Sequence, residues 1–568
     1  MKKPTVSAER PPVNRLTRIG TLAAWVSLGS FFYYLRGGDI LMHGDAVAHI
    51  NIARRVFDSL NPGPLQLGTV WLPLPHVSMI PFLLSDKMWQ SGIGGSIPSM
   101  IAYVFGVIGI FRLTAGLLEG AVRSEELTPS RDDSRSAMRT QSAQLGGFVA
   151  AFVYAANPNL LYMQATALTE PLALAFYIWA MVYFADFVSA LVTGRSASEV
   201  ARAALRRCAA CVACTELTRY DGWFLAGILG ALMLAIAGRR WNDRPLRWSG
   251  LKFLFAISVA PILWLVYNAA VYGDALAFAN GPYSAKAIAA RVQAPNPAAH
   301  NLWAAAAYFL KSAQITLAVG DWGRFWLLAA VLATALVAWR LRNQTALAIL
   351  ILLWSPVAFY SLSIAYGSVI LHVPMWWPFA IFNQRFGLEL LPLFAVSAGV
   401  LVASIVAGRF AVHQWKIVTA AVVLIVTSYA FLWVAKPLCW QEAWRNWEMR
   451  RSLDTAVELA IKELPPHSIF LMDTDEHIGI MERLGIPLRR VVNNQDIRPW
   501  VRPADSESIW QQALRDPGKN VNYVIAFEGD LVDNSVSRAD LTLLEVIHSS
   551  GQPPARIYQT RLPVNQSR

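Results

Sequence analysis

The stretch FGLELLPLFAVSAGVLVASIVAG, residues 386–408, is predominantly apolar along its whole length. Coiled as a helix it reaches about 34 Å, enough to cross a hydrocarbon core of about 30 Å. Comparable segments fall near 17–35, 97–118, 145–162, 169–192, 208–218, 222–238, 250–272, 322–339, 345–365 and 416–434. About eleven candidate spans make a polytopic α-helical membrane protein the expected fold class. Composition agrees. Of 568 residues, 55% are hydrophobic and 15% charged, against about 25% charged in an average soluble protein. One water-soluble core would not absorb so much apolar surface.

The net charge is +12. A basic chain first suggests nucleic acid, but here Lys and Arg cluster in short segments between apolar runs. With a cytoplasmic N-terminus, the inside segments are 1–18, 119–143, 193–207, 239–252, 340–344 and 409–416. Together they hold 22 Lys and Arg. The outer loops hold about nine over a greater length, which is the bias of cytoplasmic retention and not of nucleic-acid binding. This parity needs 208–238 to cross twice, as two short helices around Thr218-Arg219-Tyr220-Asp221. A charge at the bilayer centre costs about 2.5–3.5 kcal/mol, so Arg219 and Asp221 belong at an interface or in a polar cavity. Lys2, Lys3, Arg10, Arg15 and Arg18 precede the first span without a small-residue cleavage site, so it reads as uncleaved. Cys208, Cys211 and Cys214 lie in an Ala-rich segment and read as small helix-contact residues. With Cys439 alone, no iron–sulfur set or disulfide framework is implied.

Two outer segments are long. The first, about 36–96, holds a helix-like stretch from Asp45 to Asp58, with Val47, Ile50, Ala53 and Phe57 on one face. After the turn Asn61-Pro62-Gly63-Pro64, Pro73, Pro75 and Pro81 mark 71–89 as kinked or re-entrant. The second, about 273–321, carries Tyr283, Lys286, His300 and an amphipathic piece near 301–318. From about 441 the composition changes. A helix fits 442–464, and strand-like runs at 468–472, 488–492, 521–527, 543–547 and 556–558 alternate with helix-like runs at 476–484 and 505–515. A membrane domain over 1–440 and a small extracytoplasmic α/β domain over 441–568 are therefore expected.

The candidate chemistry gathers at the outer face. Asp45 opens a helix and serves either as its N-cap or as a general base. His49, four residues on, shares its face. Glu170, between Thr169 and Pro171, makes a sound helix start with Thr169 as N-cap, and parity places it on the face of Asp45. Paired carboxylates can hold a metal or divide acid and base roles. Arg385 either snorkels at the interface or clamps a phosphate, and Arg219 is a second cation there. Trp71, Trp376 and Trp377 fit an aromatic belt or a stacking surface. In the tail, Asp473, Asp475, Glu476 and His477 follow a strand and read as an acidic turn or a strand-end site.

The pattern resembles the type-C membrane glycosyltransferases, nearest to the branch holding protein O-mannosyltransferases and the lipid A aminoarabinose transferase (glycosyltransferase family 39-like). The residues that carry it are Gly44-Asp45 with Ala53-Arg54-Arg55, and Gly68-Thr69-Val70-Trp71-Leu72-Pro73-Leu74-Pro75-His76. Leu168-Thr169-Glu170-Pro171-Leu172, Leu217-Thr218-Arg219-Tyr220-Asp221-Gly222-Trp223, and Asn383-Gln384-Arg385-Phe386 with Pro392 complete it. The likeness runs from about 15 to 435 and rests on order and topology.

The resemblance implies a polyprenyl-phosphate-linked sugar donor, a lipid, glycan or protein acceptor, and an inner-membrane setting among membrane lipids. It implies Asp45 as the base, Glu170 as a second acid, Arg385 and Arg219 at the donor phosphate, and His49, Trp71, His76, Tyr220 and Asp221 lining the cavity. Many members carry a second acid after the first. Here Ala46 stands there, and His49 replaces a common aromatic, so a divalent metal on Asp45, His49 and Glu170 stays an open expectation. The implied reaction is inverting displacement at the anomeric carbon. A transporter or flippase is the rival reading. Such proteins often show inverted repeats with ionisable groups near mid-membrane; this chain shows no repeat, and its polar candidates gather at one face.

Overall fold

The computed structural model describes residues 13–125, 133–194, 198–341, 343–407, 413–495 and 508–561. Lys2, Lys3 and Arg10 lie outside them. The helices that build the bundle are α1 (Val13–Gly37), α2 (Gly44–Arg55), α3 (Pro73–Leu83), α4 (Ile93–Glu125), α5 (Asp133–Ala155), α6 (Glu170–Val192), α7 (Glu199–Glu216), α8 (Asp221–Arg239) and α9 (Arg244–Tyr272). There follow α10 (Leu302–Ile315), α11 (Arg324–Leu336), α12 (Gln344–Leu353), α13 (Ser355–Tyr366), α14 (Leu391–Val406), α15 (Gln414–Val434) and α16 (Leu438–Lys462).

All eleven apolar segments fall in helices. Among the described residues, eight helical stretches are long and apolar enough to cross a membrane: Ile93–Gly120, α6, α8, α9, Arg324–Leu341, Gln344–Tyr366, Gln384–Val406 and Gln414–Lys462. This is an integral membrane protein. The other three segments lie in α1, in α5 together with the short helix Pro158–Met163 that follows it, and in α7; the three long helices carry charge near their ends, such as Arg202, Arg206 and Arg207 in α7. The two helices expected over 208–238 are α7 and α8, both longer than the apolar runs that announced them. Close packing relies on small residues. A Cβ on Gly399 would lie 2.5 Å from the Gly146 carbonyl oxygen, so α5 and α14 touch backbone to backbone.

The first long loop folds as α2 and α3, with Pro81 inside α3. Asp45 is not the N-cap of α2. That position belongs to His43, whose Nδ1 accepts the Asp45 N–H at 3.2 Å, leaving the carboxylate in the first turn free for other partners. Thr169 holds the N-cap position of α6 without capping it; its hydroxyl accepts from Arg219 instead. The piece expected near 301–318 is α10. Ser312 Oγ on α10 donates to the Gln384 carbonyl at 3.2 Å, which braces the tight turn Gln384–Leu390 that leads into α14.

After α16 comes a five-stranded sheet of β1 (Phe470–Met472), β2 (Val491–Val492), β3 (Tyr523–Phe527), β4 (Thr542–Ser549) and β5 (Gln552–Gln559), ordered β2-β1-β3-β5-β4. β1 pairs in parallel with β2 and β3, and β5 runs antiparallel to β3 and β4. Every strand-like run has its strand. The helical runs become α17 (Ile478–Leu484) and α18 (Ile509–Arg515), residues 505–507 lying outside the described set. α16 starts at Leu438, just after Pro437, and continues through residue 441 into this region without a break.

The sheet region rests on α2. Asn51 Nδ2 donates to Glu482 Oε2 at 2.6 Å, and the other Glu482 oxygen has no hydrogen-bond partner among the described residues. Burial pushes the Glu482 carboxyl from its ordinary 4.5 up to about 8. A carboxyl raised in this way gives full stability below its unfolded pKa and loses it as pH rises toward the folded one. A Glu482→Gln variant should therefore match wild type in thermal midpoint near pH 4.5 and exceed it increasingly up to about pH 8. Thermal unfolding in detergent across that range checks it.

Candidate active site

At the end of the bundle that carries α2, five parts of the chain bring charged and polar groups together. From the first turn of α2, Asp45 Oδ2 accepts from Arg385 at 2.5 Å. Arg385 belongs to the turn before α14. A second nitrogen of its guanidinium lies 2.6 Å from His43 Nε2, and its Nε lies 3.0 Å from Glu170 Oε1 at the start of α6. The same Glu170 oxygen accepts from Arg219 at 2.9 Å. Arg219, between α7 and α8, then donates to Tyr360 of α13 at 2.8 Å and lies 3.4 Å from Asp221 and 3.5 Å from Glu389. Tyr360 in turn donates to Asp221 at 3.2 Å. The Phe386 ring lies against both cations, 5.5 Å from Arg385 and 5.4 Å from Arg219.

The result is a chain of alternating charge, Asp45, Arg385, Glu170, Arg219 and Asp221, with the Glu389 carboxyl beside Arg219. Its two ends differ. The Glu170 side chain is 1% exposed, whereas that of Asp45 keeps 35%, so Asp45 is the carboxylate an incoming molecule can reach. Desolvation in the cleft would push the Asp45 carboxyl up. The adjacent Arg385 guanidinium more than reverses this and holds it well below the usual carboxylate range.

One turn after Asp45, His49 Nδ1 lies 2.9 Å from His76 Nε2, and the His49 ring sits 4.5 Å from that of Trp71. Burial pushes His49 down to about 4, so the ring is neutral near pH 7. The structure thus brings Asp45, Glu170, Arg385, Arg219 and Asp221 into one network, with His49, Trp71 and His76 as a second group beside it. Tyr220 does not join the network; its hydroxyl donates to the Val70 carbonyl and its ring stacks on Phe278. Trp376 pairs with Tyr308 and Trp377 is exposed, away from the network. In the tail, Asp473 accepts backbone N–H groups, Asp475 accepts from Tyr283 and Asn494, and His477 pairs with Asp454 at 2.8 Å.

Sequence reading missed His43, Tyr360, Phe386 and Glu389. Glu389 alone carried a signal, a carboxylate inside a long apolar segment. Asp45, His49 and Glu170, the set named from the sequence for a metal, each meet other side chains here. Both carboxylates face guanidiniums and His49 faces His76. No group of three or more His, Cys, Asp or Glu among the described residues could hold a metal ion.

No family model and no curated protein matches the sequence. Solved structures match in shape. ArnT from Cupriavidus metallidurans bound to undecaprenyl phosphate superposes with a TM-score of 0.53, covering 98% of this chain and 100% of that one at 11% identity. ArnT from the same organism in the apo state gives a TM-score of 0.52, 96% and 98% coverage and 13% identity. The fold is that of the type-C membrane glycosyltransferases. The fold class expected from the sequence, membrane helices followed by a small α/β tail, is therefore the fold observed.

The network also sets a stability expectation. An Arg219→Met variant leaves Asp221 and Glu389 without their cation and Glu170 with one partner fewer. Breaking a buried pair from one side costs about 3–5 kcal/mol. A clear drop in thermal midpoint in detergent is expected, and Arg219→Lys should recover part of it.

Proposed function

We propose that the protein is a glycosyltransferase that moves a sugar from a polyprenyl-phosphate donor to an acceptor hydroxyl at the outer face of the membrane, with 441–568 as an extracytoplasmic unit. The observation that carries the proposal is the half-open Asp45–Arg385 pair at the end of the buried charge chain. It joins a base and a phosphate-binding cation at one reachable point. A structure with this fold, ArnT from Cupriavidus metallidurans, is bound to undecaprenyl phosphate, which favours the same class of donor. An apolar groove of about 470 Å³ lined by Phe82, Ile101, Phe105, Leu172, Phe176 and Trp179 offers space for an isoprenoid chain.

The reaction follows from the ion pairs. Arg385 is engaged by Asp45 and Glu170, so an arriving phosphate competes for it. A phosphate is a stronger bidentate acceptor for a guanidinium than a shared carboxylate. As Arg385 turns to the phosphate, Asp45 loses the cation that suppressed its basicity and returns toward about 3.9. It then accepts the proton of the acceptor hydroxyl while that oxygen attacks the anomeric carbon. The bond from the anomeric carbon to the phosphate oxygen breaks on the opposite face, and configuration inverts. Arg385 holds the charge that grows on the departing polyprenyl phosphate. Glu170, closed to solvent, acts as the orienting carboxylate for both arginines, and Arg219 braces it. Donor binding in this scheme unmasks the base, which keeps Asp45 quiet until a donor is present.

Two variants test the scheme without knowledge of the acceptor. Arg385→Gln should abolish binding of undecaprenyl phosphate, read by ligand-induced thermal shift. Asp45→Asn should bind it more tightly than wild type, because the competing carboxylate is gone. In vesicles supplied with lipid-linked sugar, Asp45→Asn should lower transfer by about 10²–10⁴-fold. A wild-type transfer rate in that variant would remove Asp45 from the mechanism.

A further inference from the structure

The groups that hold Asp45 and Arg385 in place lie on α16, outside both motifs. Glu442, on its first turns, is buried, and its carboxylate accepts two backbone N–H groups, from Asn383 at 2.5 Å and Gln384 at 2.9 Å. Asn383 is in the left-handed region at φ 56°, so the turn that presents Arg385 adopts a conformation an L residue rarely takes unaided. Two charge-assisted hydrogen bonds to consecutive N–H groups are what such a turn needs. One helical turn on, Asn446 shares the face of Glu442. Its side-chain oxygen accepts the Gly44 N–H at 2.7 Å, immediately before Asp45. A Cβ on Gly44 would lie 2.9 Å from that oxygen, so the glycine is what lets the helix approach. A further turn on, Arg450 donates to the Met42 carbonyl at 3.3 Å and to Asn446 at 3.1 Å. Residues 442, 446 and 450 thus form one stripe on one rigid helix. The stripe grips the backbone of the two segments that carry Asp45 and Arg385, in each case at the residue just before the functional side chain.

We propose that Glu442 and Asn446 are positioning residues that set the Asp45–Arg385 pair, with α16 as the ruler between them. The inference rests on the reading of Asp45 as base and Arg385 as phosphate site, and adds residues neither motif contains. It also gives the tail a role. α16 buries Leu453, Val457 and Ile461, and its Asp454 pairs with His477 and Arg483. A shift of the sheet region against the membrane helices would pass along α16 to the pair.

The test uses undecaprenyl phosphate as probe and the full chain in detergent. Glu442→Gln removes the charge from the anchor of the Arg385 turn and should weaken binding. Asn446→Ala frees the start of α2, lets Asp45 leave Arg385 and should tighten binding by about fivefold, the worth of one net hydrogen bond. Opposite signs from two residues on one helix face are not what general destabilisation produces. Asn446→Asp keeps the acceptor oxygen and should keep wild-type affinity. Asn446→Ser, with a shorter reach, should tighten binding as Ala does and serves if the Ala variant does not fold. In an Asp45→Asn background, Asn446→Ala should add nothing, because it acts through Asp45. If Asp45→Asn tightens binding while Asn446→Ala leaves it unchanged in the wild-type background, or tightens it further in the Asp45→Asn background, the positioning role is wrong. If Asp45→Asn itself has no effect, the reading of the site beneath it fails instead.

Discussion

Glu170 is the point on which the site depends. A carboxylate at the end of an apolar helix, 1% exposed, stays ionised only if its lost hydration is replaced. The penalty is several kcal/mol per ion. Two guanidiniums replace it at one oxygen, with help from the start of a helix, where negative charge is favoured. Each guanidinium then needs further acceptors for its remaining N–H groups. Arg219 finds Tyr360, Asp221 and Glu389, while Arg385 finds Asp45 and His43. One buried charge therefore organises α2, α6, α8, α13 and the turn before α14 around itself. That arrangement rigidifies the end of the bundle and leaves one partly open pair, Asp45 with Arg385, as its exit.

In the proposed mechanism that openness is what gives the network a chemical use. A closed ion pair at Asp45 would only support the fold. A free Asp45 would be a base at all times. The observed pair lies between these limits, because Arg385 has two carboxylate partners and can exchange one of them. The start of α2 and the turn before α14 are separate segments, and α16 is in contact with both. It is a continuous helix from residue 438 to residue 462 and accepts backbone N–H groups from each of them, the least variable partners a protein offers.

Much of this was legible from residue order. The spans follow from runs of apolar residues, and the strands of the tail from short β-branched runs between turns; each has its counterpart, from Phe470–Met472 to Gln552–Gln559. Asp45, Glu170, Arg219 and Arg385 stood out because charges beside apolar spans are costly and so are placed for a reason. The errors were local. Asp45 reads as an N-cap by residue type, yet His43 caps α2. Thr169 reads as a cap, yet its hydroxyl turns to Arg219. In both cases a tertiary partner more strongly charged than a backbone N–H took the side chain away from the local role.

Sequence by itself determined that this chain enters a membrane, which helices form, and which charged residues must find shelter, because hydrophobic length and the cost of burying charge are properties of short segments. Only tertiary structure decided which charge meets which. Asp45 and Arg385 are 340 residues apart, and Glu442 lies in a helix that composition assigns to the tail. Pairing over such separations depends on how helices pack, and a single chain read along its length carries no record of that. The partners of Glu170 were set at the same level: the guanidiniums of Arg219 and Arg385 both meet one of its oxygens.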